Sequence, residues 1–129
     1  MPSKTKSDVH ITPDNVYELI EFYWGYKKQD MFDPCPVDPE WDGLVIPWRP
    51  TNYLNAPYGL TQNFIEKAHL ETLRGNTTVI LYPTSKTDKP WFHQNVLAFD
   101  HEIRFVEGRL RFKNDKWQSM NSHMLVRIT

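Results

Sequence analysis

One cysteine, Cys35, is the whole thiol content of this 129-residue chain, so no internal disulfide can staple it, and a reducing compartment is expected. Long apolar runs are also missing. The longest, TTVILY around Val79, falls far short of the roughly 20 residues that cross a bilayer, and MPSKTKSD at the start has no apolar signal core. A soluble, cytoplasmic protein with no membrane partner is the expectation. Excess charge is absent too: a net charge of −1 gives no bulk pull on a polyanion. The five histidines include no i, i+4 pair and no cysteine at ligand spacing, which argues against a metal centre.

What the chain does have is apolar and aromatic mass. With 40% hydrophobic residues, five Trp, six Tyr and seven Phe, it can bury a real core, and its length fits one domain over 1–129, with residues 1–10 a flexible arm. Charge is divided along the chain. Up to Leu60 there are five Lys/Arg against nine Asp/Glu; from Ser85 onward there are eight against five. A plain solvated surface and a polyanion-facing side read equally well from that division.

Periodicity predicts a helix over ITPDNVYELIEFYWGY, with Thr12 as its N-cap, Pro13 in its first turn and Gly25 as its stop. A short strand ending at Asp33 and a proline-rich acidic loop follow. LVI (44–46) and NYLN (52–55) read as brief strands. TQNFIEKAHLETLR (61–74) has Phe64, Ile65, Ala68 and Leu73 at helical spacing with Gly75 just beyond. TTVILYP is a continuous apolar run and belongs at a sheet centre. PWFHQNVLAF predicts a short helix. EIRFV and RLRF alternate in polarity and read as a hairpin through Glu107-Gly108, with HMLVRI as a further strand. Helices and strands that alternate early, with strands clustered late, predict an α/β fold whose mostly parallel sheet is finished by antiparallel strands.

The chemistry concentrates in NAPYG, Asn55 to Gly59, just after a predicted strand, where open α/β sheets bind ligands. The Asn55 side-chain oxygen and the Ala56 carbonyl can both accept hydrogens of a planar exocyclic amine, and Tyr58 offers a ring to stack on. Paired acceptors favour the pyramidal, attacking form of an amine whose lone pair is otherwise delocalised. Lys86, Lys89, Arg109 and Arg111 are the candidate phosphate contacts, the two arginines sharing one face of their predicted strand. His93 could lie near DNA or cofactor, although a packing role is the more common one for such a residue, and Trp91 and Phe92 read as core.

Four segments in order, TP (12–13), FDPCP (32–36), NAPYG (55–59) and LYPTSKTDKPWFH (81–93), together with EIRFVEGRLRF (102–112), resemble the phage-type DNA adenine-N6 methyltransferases, whose motif is Asn/Asp-Pro-Pro-Tyr. The likeness covers about Thr12 to Ile128. It implies a compact Rossmann-like methyltransferase fold with helices on both faces, a viral or prophage setting (hence host cytoplasm), and S-adenosylmethionine as cofactor. That cofactor would be held by Thr12, Pro13, Asp33, Pro34 and Asn55, with Asp42 on the ribose and Asp38 behind it. Asn55, Ala56, Pro57 and Tyr58 would form the target-amine site, and DNA would be the partner. Three departures stand out. Ala56 replaces the usual first proline, the loop after Asp33 has no glycine until Gly43, and no helix fits between Asp33 and Leu44. These allow a shallow cofactor site or one completed by a second subunit in a homodimer. They also keep open a DNA-binding relative without catalysis, and methylation of RNA or protein glutamine stands as a further alternative.

Overall fold

The computed structural model describes residues 10–129. Of the expected flexible arm, all but His10 lies outside the described residues. Helix α1 (Asp14–Trp24) buries Val16 and Ile20, one turn apart, and ends where Gly25 takes φ 77° and returns its N–H to the Glu21 carbonyl at 2.8 Å. Its cap corrects the expectation: Pro13, not Thr12, precedes the first turn, with no side-chain cap bond. Thr12 is buried, and its hydroxyl is used elsewhere.

Strand β1 (Thr51–Leu54) leads into α2 (Thr61–Leu73), β2 (Thr77–Pro83), a short helix α3 (Pro90–Phe92) that widens into a π-turn over His93–Leu97, and strands β3 (His101–Phe105) and β4 (His123–Ile128). The sheet order is β1-β2-β4-β3. β1 and β2 run parallel, whereas β4 is antiparallel to both β2 and β3. β1, β2 and β3 therefore point the same way and β4 alone runs against them, a partly parallel sheet: the helical segment 90–97 between β2 and β3 carries β3 back into the direction of β2, so of the late strands only β4 is antiparallel to the rest. The strand expected to end at Asp33 shrinks to one parallel bridge, Phe32 with Asn52. LVI is a turn: the Asp42 carboxylate takes the Leu44 N–H at 3.0 Å, and the Asp42 carbonyl takes those of Val45 and Ile46.

β2 and β4 are the buried centre, and each face of the sheet carries a core. On one side Leu54, Ile80, Tyr82, Met124, Val126 and Ile128 meet Phe64, Ile65 and Ala68 of α2 and Phe92 and Val96 beyond it. On the other, Tyr53, Val79, Leu81 and Leu125 meet Val16 and Ile20 of α1 and the segment 106–112. That segment overturns the expected hairpin. Leu110 and Phe112 are buried while Arg109 and Arg111 are exposed, so its alternation comes from lying on the sheet, not from strand pairing. Val106 still bonds the His123 carbonyl at the end of the β3–β4 ladder, but beyond it the backbone bonds leave the ladder, Ser119 N–H going to the Leu110 carbonyl and Lys113 N–H to that of Ile11.

Candidate active site

The parallel pair β1 and β2 ends at one rim of the sheet, and Asn55 to Tyr58 follow there directly. Pro57 is buried and starts a turn closed by Leu60 N–H to the Pro57 carbonyl at 3.0 Å, with Gly59 at φ 89°. A turn of that shape projects the residue before the glycine, and Tyr58 stands 67% exposed. The Lys86 ammonium lies 4.9 Å from the Tyr58 ring centroid.

Asn55 is fixed from three sides. Its Nδ2 donates to the His10 carbonyl at 2.6 Å and to Thr12 Oγ1 at 3.2 Å, and its own carbonyl accepts the Cys35 thiol at 3.1 Å. Thr12 is held in turn by the Tyr53 hydroxyl at 2.8 Å. Among the described residues neither Asn55 Oδ1 nor the Ala56 carbonyl has a hydrogen-bond partner within the chain.

Two hollows meet at this asparagine. The larger, about 350 Å³, is walled by Asn55, Ala56, Tyr58, Lys86, Trp117 and His123 among others. The smaller, about 140 Å³, lies between Thr12, Tyr17, Lys28, Asp33, Asn55 and Lys113. A further pocket of about 140 Å³ shares Tyr17, Lys28 and Asp33 with it and is closed by Met31 and Tyr53. His10 and Asn55 line both of the first two and form the wall between them.

The electrostatics of the rim are set by burial. It raises the Tyr53 phenol well above its ordinary value and that of Tyr17 to about 12, so both act only as neutral hydrogen-bonding groups. Burial also lowers His123 to about 4, with His10 adding to the effect and a backbone bond at Asn121 opposing it. His123 is neutral at physiological pH, and its buried Nδ1 has no partner among the described residues.

Of the expected site residues, Thr12, Asp33, Asn55, Ala56, Tyr58 and Lys86 line one or both hollows, and Pro57 shapes the turn. Others go elsewhere. Pro13 caps α1, and the Pro34 carbonyl accepts the Trp41 indole N–H at 3.2 Å. Asp42 and Asp38 line neither hollow, and the Asp42 carboxylate serves its own turn. Lys89 lies 5.7 Å from the Trp91 ring, and His93 Nε2 bonds the Thr87 carbonyl at 2.7 Å. Phe92 is core, stacked on Tyr82.

Arg109 and Arg111 do something unforeseen. Arg109 donates to the Met120 carbonyl and Arg111 Nε to that of Asp115 at 3.3 Å, so both tie down the loop over 115–121 that walls the larger hollow. The sequence reading missed His10, Tyr17, Lys28, Asp115, Trp117 and His123. Only the exposed-looking aromatic in NDKWQSMNS hinted at a binding loop. Among the described residues no group of three His, Cys, Asp or Glu is placed to hold a metal ion. No family model, no curated protein and no solved structure matches this chain significantly.

Proposed function

We propose that this protein transfers the methyl group of S-adenosylmethionine to the N6 of adenine in DNA. The observation that carries this reading is Asn55: it stands in the wall between two hollows with its amide nitrogen tethered and its Oδ1 uncommitted within the chain. A tethered amide cannot rotate freely, so Oδ1 and the Ala56 carbonyl form a fixed acceptor pair for one amino group. The larger hollow, about 350 Å³, lies inside the size range of ligand pockets and has room for a flipped purine. Extruding a base costs a few kcal/mol, and stacking on Tyr58, worth about 1–3 kcal/mol, offsets much of it. With the cofactor bound, the amine's lone pair would attack the methyl carbon while both hydrogens are held; the S–CH3 bond would break, S-adenosylhomocysteine would leave as a neutral thioether, and the methylated amine would lose its extra proton to solvent.

The smaller hollow would take the zwitterionic end of the cofactor, with Asp33, which also accepts the Cys35 N–H, toward its ammonium, and Lys28, with Lys113 beside it in an ion pair to Asp14, toward its carboxylate. At about 140 Å³ it is below the roughly 300 Å³ at which ligand pockets begin, so the nucleoside end lies outside it. When bound, the cofactor supplies an electrophilic methyl group on a sulfonium. The same small volume favours a second reading, a DNA-binding protein of this fold without catalysis.

Transfer of labelled methyl to unmethylated DNA, with calorimetric titration of S-adenosylmethionine alongside, tests the proposal. Wild type is expected to label DNA, and Asn55→Ala to lose at least 100-fold in rate, on the order of one lost transition-state hydrogen-bonding group. Equal labelling by both proteins removes Asn55 from the chemistry. No cofactor heat and no label, with DNA still bound, establishes the second reading instead.

A further inference from the structure

β3 is the last strand of the sheet, and among the described residues nothing pairs with its outer side. One bond sets which groups face out. Val106 N–H donates to the His123 carbonyl at 3.0 Å, so in the antiparallel ladder Arg104 and Glu102, two and four residues back, also face β4. His101, Ile103 and Phe105 therefore turn their main-chain N–H and C=O groups outward. The Ile103 carbonyl agrees: the Arg104 guanidinium reaches round to it at 3.1 Å, a side chain standing where a neighbouring strand would be. His101 and Phe105 are exposed, Phe105 by 69%.

We infer that two copies of this protein join antiparallel along β3, about a two-fold axis at Ile103, into one continuous sheet. The sequence HEIRF is complementary to itself in that register. Ile103 meets the same residue of the second copy in a hydrogen-bonded pair, and His101 meets Phe105 twice, again with outward-facing main-chain groups. At the intervening positions Glu102 lies opposite Arg104 of the second copy, twice, so each cross-strand pair joins opposite charges. A register one residue away breaks this, because the outward groups no longer match about a two-fold. Pairing replaces the Arg104 contact to the Ile103 carbonyl with a main-chain bond. The guanidinium, already paired with Glu102 of its own chain, gains the second copy's Glu102. Five residues a side fall short of the roughly 1,000 Å² of a stable interface, so the dimer is weak and reversible.

Sedimentation over roughly 10–500 µM protein, the range in which a micromolar association shows, combined with residue-resolved amide exchange, tests this. The wild-type sedimentation coefficient is expected to rise with concentration. The amides of His101, Ile103 and Phe105 should slow at least tenfold in the concentrated sample, while Glu102 and Arg104, already bonded to β4, stay as they were. Ile103→Pro removes an outward N–H together with a side chain packed against the core, whereas Phe105→Lys only puts an ammonium at an exposed edge position; both should be monomeric, and Phe105→Lys, which leaves the core intact, should keep the wild-type circular dichroism. A wild type that stays monomeric overturns the inference and leaves the edge to solvent or a foreign strand. So does a concentration-dependent rise in which those three amides remain fast, since the contact is then elsewhere.

Discussion

Thr12 links the core to the rim through one hydroxyl, which touches the buried Tyr53 phenol and the Asn55 amide together. Replacing it by valine keeps the shape and strands the Tyr53 hydroxyl. Thr12→Val is expected to cost about 1–3 kcal/mol, seen as a lower denaturant midpoint with an unchanged slope. Tyr53→Phe in the same background should recover part of that loss, since a pair removed together leaves nothing unsatisfied. His123 gives a second residue-scale prediction. Held neutral by burial, with its pKa at about 4, it binds a proton more readily once the chain unfolds. Its contribution is full above the ordinary histidine value near 6.5 and falls as pH drops from there toward 4. Urea melts at pH 7, 6, 5 and 4 should show this decline, and His123→Gln should flatten it. None of these residues declared its role in the sequence, because a role made by burial belongs to the neighbours.

At the scale of elements, two glycines separate kinds of constraint. A Cβ at Gly59 meets nothing within 4 Å, yet φ there is 89°, so Gly59→Ala strains only the backbone. A loss of about 1 kcal/mol is expected, with a reoriented Tyr58. Gly43 is the reverse: a Cβ would lie 2.1 Å from the Pro34 carbonyl oxygen, so Gly43→Ala must push the 33–43 loop apart. A cost of about 1–3 kcal/mol is expected, and thermal unfolding ranks the two. The first glycine after Asp33 thus serves the loop's packing on itself. Helix α2 and strand β2 were legible because their apolar period is local. Even so, Leu73, expected on the buried face of α2, is 67% exposed, and Glu71 is buried instead. Burial pushes Glu71 up, but bonds from Lys67, Asn76 and the Trp48 N–H outweigh it and hold its carboxyl below the usual range. RLRF misled for a related reason: alternation reports one-sided burial, and burial does not require a ladder.

For the whole molecule, charge placement separates two kinds of basic residue. Lys86 lines the larger hollow and Lys89 lies on the helix-start that follows it, whereas Arg109 and Arg111 spend their bonds on the wall loop. If DNA docks at this rim, replacing both lysines by alanine should weaken binding and reduce the slope of log affinity against log salt by about 2. Arg109→Ala should instead loosen the 115–121 loop, read as faster amide exchange there with a smaller change in slope. Residue order alone was enough to locate α1, α2, the central place of TTVILYP, the closing strand HMLVRI and the strand-end position of Asn55, since each follows from periodicity and turn chemistry within a dozen residues, whereas the strands read at Asp33, LVI and RLRF do not form. Packing between distant segments decided that His10, Lys28 and His123 join Thr12 and Asp33 around the hollows at that asparagine, that β4 alone runs against the other strands, and that among the described residues no strand pairs with the outer side of β3. Those outcomes depend on which distant segments pack together to bury the most apolar surface while pairing their polar groups, and that competition is settled by the whole chain at once.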